Sequence, residues 1–450
     1  MLRLVERLFD ENHQKLNHRV SYADLKETIN PELRKGPQTP EEIENFIDQY
    51  IHYSVNTGHD YYANQLWSKV DEASVLGELL ASMTNTSMYT YEVAPVATLL
   101  ERSMINFLSE KVWSESCDGV MTSGGTASNL QALLTARNFK LDSKGQGLVG
   151  LDFRPVFLAA DNSHYSVKRA ANILGLGHQA LVEVETNAEG QMTVDAVEEA
   201  LSKLSSDQRP FCLVSTAGTT VEGSYDDLKS LGEFCQRHKL WFHVDGAYGA
   251  SALLGAQGKE LMKGIELSDS LSWDFHKMLG VNLPCAFLLM KEKGYLKTAI
   301  TSNNDSYLFH DQDEEMIDLG PSSLQCGRRN DILKLWLTWM AHGEEGFSSR
   351  VDRLFQLARD FADEVKERPE FELVQSPQSI NVCFRYVHPR GERIEQKIRE
   401  TLIQSGQLMI NYSSDSEGDF FRMAVTNPDL NREKISILLD RIAEVADGLC

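Results

Sequence analysis

The sequence contains no paired CxxC, no apolar run long enough to span a bilayer, no internal repeat and no low-complexity segment. Its seven cysteines, Cys117, Cys212, Cys235, Cys285, Cys326, Cys383 and Cys450, are odd in number and scattered singly. That pattern argues against a disulfide framework or a zinc site and for free thiols in a reducing compartment. Positive charge is also scarce: 44 basic residues face 66 acidic ones, a formal net charge of −22. Such a surface is a poor match for non-specific nucleic-acid or anionic-membrane binding. It still permits an acidic small molecule, because a local arginine overrules a distant net charge. The opening Met-Leu-Arg-Leu-Val-Glu-Arg-Leu-Phe-Asp reads as a charged amphipathic helix without the apolar stretch of a signal peptide. The expectation is a cytoplasmic protein. A Walker P-loop and a GxGxxG are missing too.

What is present is 450 residues, enough for one large domain and a smaller one. Residues 1–57 read as a helical segment, in which Thr39 is the expected N-cap and Pro40 the first helical position. Residues 58–330 form the expected large domain. Within it, Gly119-Val-Met-Thr-Ser, Pro155-Val-Phe-Leu-Ala-Ala, Ala180-Leu-Val-Glu-Val-Glu, Phe211-Cys-Leu-Val-Ser, Leu240-Trp-Phe-His-Val-Asp and Cys285-Ala-Phe-Leu-Leu-Met are apolar strands, most of them followed by helical stretches. This is the signature of an α/β fold with a mostly parallel sheet covered on both faces. Residues 300–328 read as a loop, either an active-site lid or an insertion. Residues 331–450 begin with a long helix and then alternate strand and helix, as a small C-terminal α+β domain would.

Chemistry collects where strands end. Ser123-Gly-Gly-Thr126 opens a helix directly after a strand, and two glycines at a helix N-terminus suit an anion. His164 follows the second strand, and Ser215-Thr-Ala-Gly-Thr-Thr220 follows the fourth. Asp245 ends an apolar strand, where a carboxylate needs a cationic partner. Lys277 sits in Ser268-Asp-Ser-Leu-Ser-Trp-Asp-Phe-His-Lys-Met-Leu-Gly280, a segment too polar for plain core, and a lysine in such company is a candidate reactive amine. In a parallel sheet these loops converge on one edge. An anion cradle, a flat aromatic ring, a buried carboxylate and a lysine together suit pyridoxal phosphate.

The chain resembles the group II pyridoxal-phosphate-dependent amino-acid decarboxylases, in the glutamate and cysteine-sulfinate branch. The resemblance runs from about residue 58 to 448. It rests on Tyr62-Ala-Asn-Gln-Leu66, Asn85-Thr-Ser-Met-Tyr-Thr-Tyr-Glu-Val-Ala-Pro95, Thr122-Ser-Gly-Gly-Thr-Ala-Ser-Asn129, His243-Val-Asp-Gly-Ala-Tyr-Gly249, Gln325-Cys-Gly-Arg328, Asn381-Val-Cys-Phe384 and Phe420-Phe-Arg-Met423. It implies the type I fold of that cofactor class, a homodimer, and decarboxylation of an acidic L-amino acid: glutamate, aspartate or cysteine sulfinate. It implies that Lys277 bonds the cofactor, Asp245 pairs with the ring nitrogen, and Ala247 and His164 cover the two ring faces. Gly124, Gly125 and Thr126 would hold the phosphate, with Thr216 and His276 in the cofactor set. Gln65, Ser87 and Arg422 would meet the substrate. The resemblance implies no metal.

Three departures stand out. The family often has Asn-Pro before its His-Lys pair, where this chain has Asp274-Phe275, and an aspartate there should repel a phosphate unless protonated or turned away. The family often has Ala where Gly246 stands. The family's loop also carries a tyrosine that returns a proton to the substrate carbon. No tyrosine occurs between Leu308 and Arg328, which leaves His310 as the candidate acid. A decarboxylating aldehyde synthase, an aminotransferase, a lyase, or a decarboxylase of another amino acid such as 2,4-diaminobutyrate therefore stays open beside the main expectation.

Overall fold

The computed structural model describes residues 15–115, 117–301 and 317–449. The chain divides into two compact units, Met1–Lys69 with Gln356–Cys450, and Val70–Phe355. The described strands are β1 (Tyr62–Ala63), β2 (Asp118–Thr122), β3 (Arg154–Ala160), β4 (Leu181–Val184), β5 (Gln208–Thr216), β6 (Trp241–Asp245), β7 (Ser270–Asp274), β8 (Ala286–Met290), β9 (Phe371–Leu373), β10 (Asn381–Tyr386), β11 (Met409–Asp415) and β12 (Gly418–Ala424).

The central unit carries a seven-stranded sheet in the order β2-β8-β7-β6-β5-β3-β4. β8 is antiparallel to both β2 and β7, and every other neighbouring pair is parallel. Six strands thus run the same way, and the carboxyl ends of β2, β3, β5, β6 and β7 share one edge. Every residue of β6, β7 and β8 is buried, as strands covered on both faces must be. The helix Gly125–Leu141 packs across this sheet through Ala132, Leu133 and Ala136, against Phe157, Val214 and Leu288 of the strands.

The sequence reading did not identify β7. Its Ser-Leu-Ser-Trp-Asp lacks the apolar continuity of its neighbours, yet it lies in the middle of the sheet. The polarity is accommodated because Ser270 bonds Trp241 and His243, and Ser272 bonds Asn129.

The other unit holds a five-stranded sheet, β1-β11-β12-β10-β9, with β1 parallel to β11 and the remaining pairs antiparallel. The helices Glu395–Ser405 and Arg432–Leu449 belong to it. So does the helix Pro40–Tyr53, whose N-cap Thr39 and Glu42 form a reciprocal capping box, with Pro40 at the first position as expected. The N-terminal and C-terminal parts of the chain share this unit, a grouping that the order of elements along the chain does not announce. Among the described residues no helix is long and apolar enough to cross a membrane.

Candidate active site

The edge where the parallel strands end gathers Gly124, Gly125, Thr126, His164, Thr216, Asp245, Ala247, His276 and Lys277 in the central unit. Strand register does much of the work: Thr216 pairs with Asp245, and Asp245 pairs with Ser272. The three therefore stand abreast on neighbouring strands.

The β2-to-helix turn is built from glycine for two separate reasons. Gly124 has φ of +128°, a region that side chains avoid. At Gly125 a Cβ would stand 2.8 Å from Ala247 Cβ and 3.1 Å from Asp274 Oδ2. The helix starts with no side-chain cap at Gly124, which leaves its first N–H groups without a capping side chain. One of them, Gly125 N–H, donates to Asp274 Oδ2 at 3.2 Å. Asp274 is thus turned toward the cradle. Its Oδ2 also lies 3.5 Å from Lys277 Nζ and 3.5 Å from His276 Nε2.

Asp245 is 5% exposed and accepts two hydrogen bonds, from Asn129 Nδ2 at 2.6 Å and from Ala247 N–H at 3.1 Å. Behind it runs a chain of donors. Trp241 Nε1–H donates to Ser270 Oγ at 2.9 Å, and Ser270 lies 2.9 Å from His243 Nδ1. His243 Nε2 lies 3.1 Å from Asn129 Oδ1, which also accepts Ser272 Oγ–H at 2.7 Å. Since Asn129 Oδ1 only accepts, this network assigns the proton of His243 to Nε2. Burial lowers the His243 pKa to about 4, so the ring is neutral. Every dipole in the chain then points toward Asp245, and bonds aligned this way strengthen one another.

His164 caps the helix Tyr165–Ile173, its Nδ1 accepting the Ser166 N–H at 3.3 Å and lying 2.8 Å from Ser166 Oγ. Ser166 Oγ in turn accepts Asn129 Nδ2–H at 3.0 Å, so His164 and Asp245 are tied to the same amide. Burial lowers the pKa of His164 and of His276. Asn129, Ser166, His243 and Ser272 are residues to which the sequence reading gave no role. The available signal was a buried amide and a buried imidazole inside the two most glycine-marked motifs.

Thr216 shows a second buried carboxylate at work. Asp226 Oδ2 accepts Thr216 N–H at 2.7 Å and Ser215 Oγ–H at 2.9 Å, and its Oδ1 accepts Met192 N–H at 2.7 Å. Burial pushes the Asp226 carboxyl up to about 6. A folded-state pKa above the unfolded one means that the folded protein binds the proton more tightly. The stability linked to Asp226 is therefore complete below about pH 4 and is lost as pH rises through about 6. Asp226→Asn is expected to gain in stability relative to the parent between pH 4 and 7, by at most about 3 kcal/mol, and then level off. Thermal melts of both proteins across that range check this, and a difference flat in pH rules it out.

Of the other expected residues, Ser87 is half-buried, bridges Arg329 and donates to Cys326 O at 3.4 Å. Gln65 and Arg422 belong to the other unit. There Arg422 sits on β12 between Cys383 and Asn411, 5% exposed, and donates to Asn64 O at 2.5 Å, beside Gln65. His310 lies outside the described residues.

The pattern termed Pyridoxal-dependent decarboxylase conserved domain matches residues 23–387. Cysteine sulfinic acid decarboxylase of Mus musculus is 37% identical over 444 residues, spanning 95% of this chain and 90% of its own. Acidic amino acid decarboxylase GADL1 of Homo sapiens is 35% identical over 436 residues, spanning 93% and 84%. The crystal structure of mouse CSAD in apo form aligns with a TM-score of 0.92 at 34% identity, over 99% of this chain and 98% of that one. A strand-edge cradle, a buried Asp245 and a lysine after β7 thus occur in a chain that belongs to the pyridoxal-dependent decarboxylase family, as a pyridoxal-phosphate-dependent amino-acid decarboxylase.

Proposed function

We propose that this decarboxylase removes the α-carboxylate of an acidic L-amino acid, with cysteine sulfinate, aspartate and glutamate as candidates. The observation that carries this is the likeness, over nearly the whole chain, to relatives named for cysteine sulfinic acid and for acidic amino acids. Arg422 supports it, because a guanidinium fork matches a second carboxylate or a sulfinate. Gln65 and Ser87 are the proposed polar partners of the substrate.

The strand-edge residues fit pyridoxal phosphate. Thr216 Oγ1 and Asp274 Oδ1 are buried without a hydrogen-bond partner among the described residues. Gly125 keeps open the space beside Ala247 and Asp274 that a Cβ would fill. On this reading Gly124, Gly125 and Thr126 hold the phosphate at the helix N-terminus, with Thr216 and His276 alongside. Asp245 holds a proton at the ring nitrogen, Ala247 and His164 cover the ring faces, and Lys277 Nζ is the amine. Bound there, the cofactor supplies an aldehyde for amines and a ring that draws electrons from the bond being broken. His164, kept neutral by burial, covers the ring without adding charge. His310 is the proposed acid that returns a proton to the α-carbon.

Asn129→Leu leaves Asp245 Oδ2 without its donor. The cost of about 1.5–3 kcal/mol for a hydrogen bond to a charged group is expected to weaken cofactor binding roughly 10- to 100-fold. A spectrophotometric titration of the apoprotein measures this, and parental affinity in the variant contradicts it.

The substrate test is a panel of cysteine sulfinate, aspartate, glutamate and 2,4-diaminobutyrate, following carbon dioxide, ammonia and peroxide. Carbon dioxide with the matching amine is expected from at least one acidic substrate. Carbon dioxide from none of them overturns the reading, and stoichiometric ammonia and peroxide would select an aldehyde synthase instead.

The protein is further proposed to be a cytoplasmic homodimer. The helix Pro95–Trp113 leaves Val96 67% and Leu99 61% exposed, and Leu76 and Met83 of the helix Glu72–Thr84 are also uncovered. Exposed apolar side chains of this number suit a partner surface. A monomer mass by sedimentation at micromolar concentration overturns the dimer. The six described cysteines are free thiols, in keeping with a reducing compartment. Fractionation that places the protein outside the cytosol overturns that assignment.

A further inference from the structure

The cradle proposed for the phosphate already contains a carboxylate. Asp274 is 1% exposed, and its Oδ2 takes the Gly125 N–H that a helix N-terminus offers to an anion. Its Oδ1 is buried with no hydrogen-bond partner among the described residues. Oδ1 is also close to the turn: a Cβ on Gly125 would stand 3.5 Å from it. A buried acceptor with nothing to accept, set beside an anion site, calls for a ligand that brings a proton. A phosphate dianion cannot do so, and two like charges at this range cannot both ionise freely. A phosphate monoester can, because its second proton leaves only near a pH of about 6.

We propose that Asp274 holds the cofactor's phosphate ester as its monoanion, with one P–OH donating to the Asp274 carboxylate so that the pair shares a single proton. This rests on the reading that the phosphate occupies the Gly124–Thr126 turn. No bond to phosphorus forms or breaks. The proton is taken from solvent on binding above the phosphate's own titration and returned on release. Cofactor retention is therefore coupled to pH at a residue that takes no part in the bond breaking.

The groups facing Asp274 are Lys277 and His276 on its own segment, His164 at the start of the helix Tyr165–Ile173, and Cys285 just before β8. Lys334 of the helix Ile332–Glu367 acts on His276 and Cys285 in turn. Burial favours the uncharged forms of both histidines and of the Cys285 thiol. Lys277 is the competing cation: an Asp274–Lys277 ion pair would leave the phosphate fully ionised.

The experiment uses pyridoxine 5′-phosphate, which has the ring and the phosphate but no aldehyde to react with Lys277. It is titrated into the full-length apoprotein and into Asp274→Asn between pH 6 and 9, and the bound ligand is observed by phosphorus NMR. Asparagine can donate to a dianion and needs no shared proton. Contributions of the ring nitrogen are common to both proteins and cancel in the ratio of affinities. The parent-to-variant affinity ratio is expected to fall about tenfold per pH unit above 7. The phosphorus resonance of the parent complex should keep its monoanion position at pH 8, while that of the variant moves to the dianion position. A ratio independent of pH, or a dianion resonance in the parent complex, overturns the proposal. The resonance is read on the unsubstituted protein, so it decides the question even if Asp274→Asn does not fold. Failure of the folded apoprotein to bind this ligand at any pH overturns the cofactor-site reading and this proposal with it.

Discussion

Replacing Lys277 with alanine is expected to lower kcat by roughly a thousandfold or more and to abolish the visible absorbance of the purified protein. Lys277 Nζ is the amine set at the sheet edge, 3.5 Å from Asp274 and 20% exposed, close enough to the surface to meet a ligand. In its proposed role as covalent anchor Lys277 would split one difficult step into easier ones, and among the described residues no neighbouring side chain offers a second primary amine. His276 and His164, the nearest basic groups, are held neutral by burial and carry ring nitrogens, not primary amines. The fold should survive the change. Asp274 keeps the Gly125 N–H and His276 as neighbours. A coloured, active Lys277→Ala protein would remove the lysine from the mechanism. An inactive variant with a collapsed circular-dichroism spectrum would instead mean that the residue serves the fold, so both signals are to be read together.

The largest effect on stability is expected at Arg328. Its Nη1 lies 2.6 and 2.7 Å from the two oxygens of Glu101, and its Nη2 donates to Met88 O at 2.9 Å. Glu101 is 0% exposed and also accepts Met121 N–H at 2.8 Å on β2. Truncating one partner of such a pair strands the other as an uncompensated buried charge, at a cost of about 3–5 kcal/mol. Arg328→Met should therefore lower the denaturant midpoint sharply, and Glu101→Leu should do the same. The double variant Glu101→Leu/Arg328→Met should recover much of the loss, because it leaves no charge behind. Single variants as stable as the parent, or additive losses in the double, would contradict this. A functional consequence follows from the same geometry. Met88 N–H donates to Arg328 O at 2.8 Å and Ser87 bridges Arg329, so the pair also pins the segment that carries Ser87. Arg328→Met should raise KM more than it lowers kcat.

Much of the site was readable along the chain because its parts are local. A strand that breaks at Gly124-Gly125 into a helix, an aspartate ending an apolar run, and a lysine after a histidine are each set by neighbours in sequence. Their convergence follows from one rule, that parallel strands present their carboxyl ends on one edge. The helix cap at Thr39 was legible in the same way, since a cap depends on the three residues after it.

The rest depends on partners remote in sequence. β7 was hidden because Ser270 and Ser272 look unsuited to a core, and their donors and acceptors come from β6 and from a helix more than a hundred residues away. Asn129 reads as one more polar helix residue until the fold sets it between Asp245, Ser166, His243 and Ser272. Arg422 was chosen for its chemistry, but its anchor on Asn64 O spans 358 residues. Asp274 shows the division most clearly. The sequence alone determined that a carboxylate stands three residues before Lys277, where it should trouble an anion. Only the tertiary structure decided that it faces the Gly125 N–H with one oxygen unpaired, because the direction of a side chain at a strand end is set by the strands and the helix packed around it.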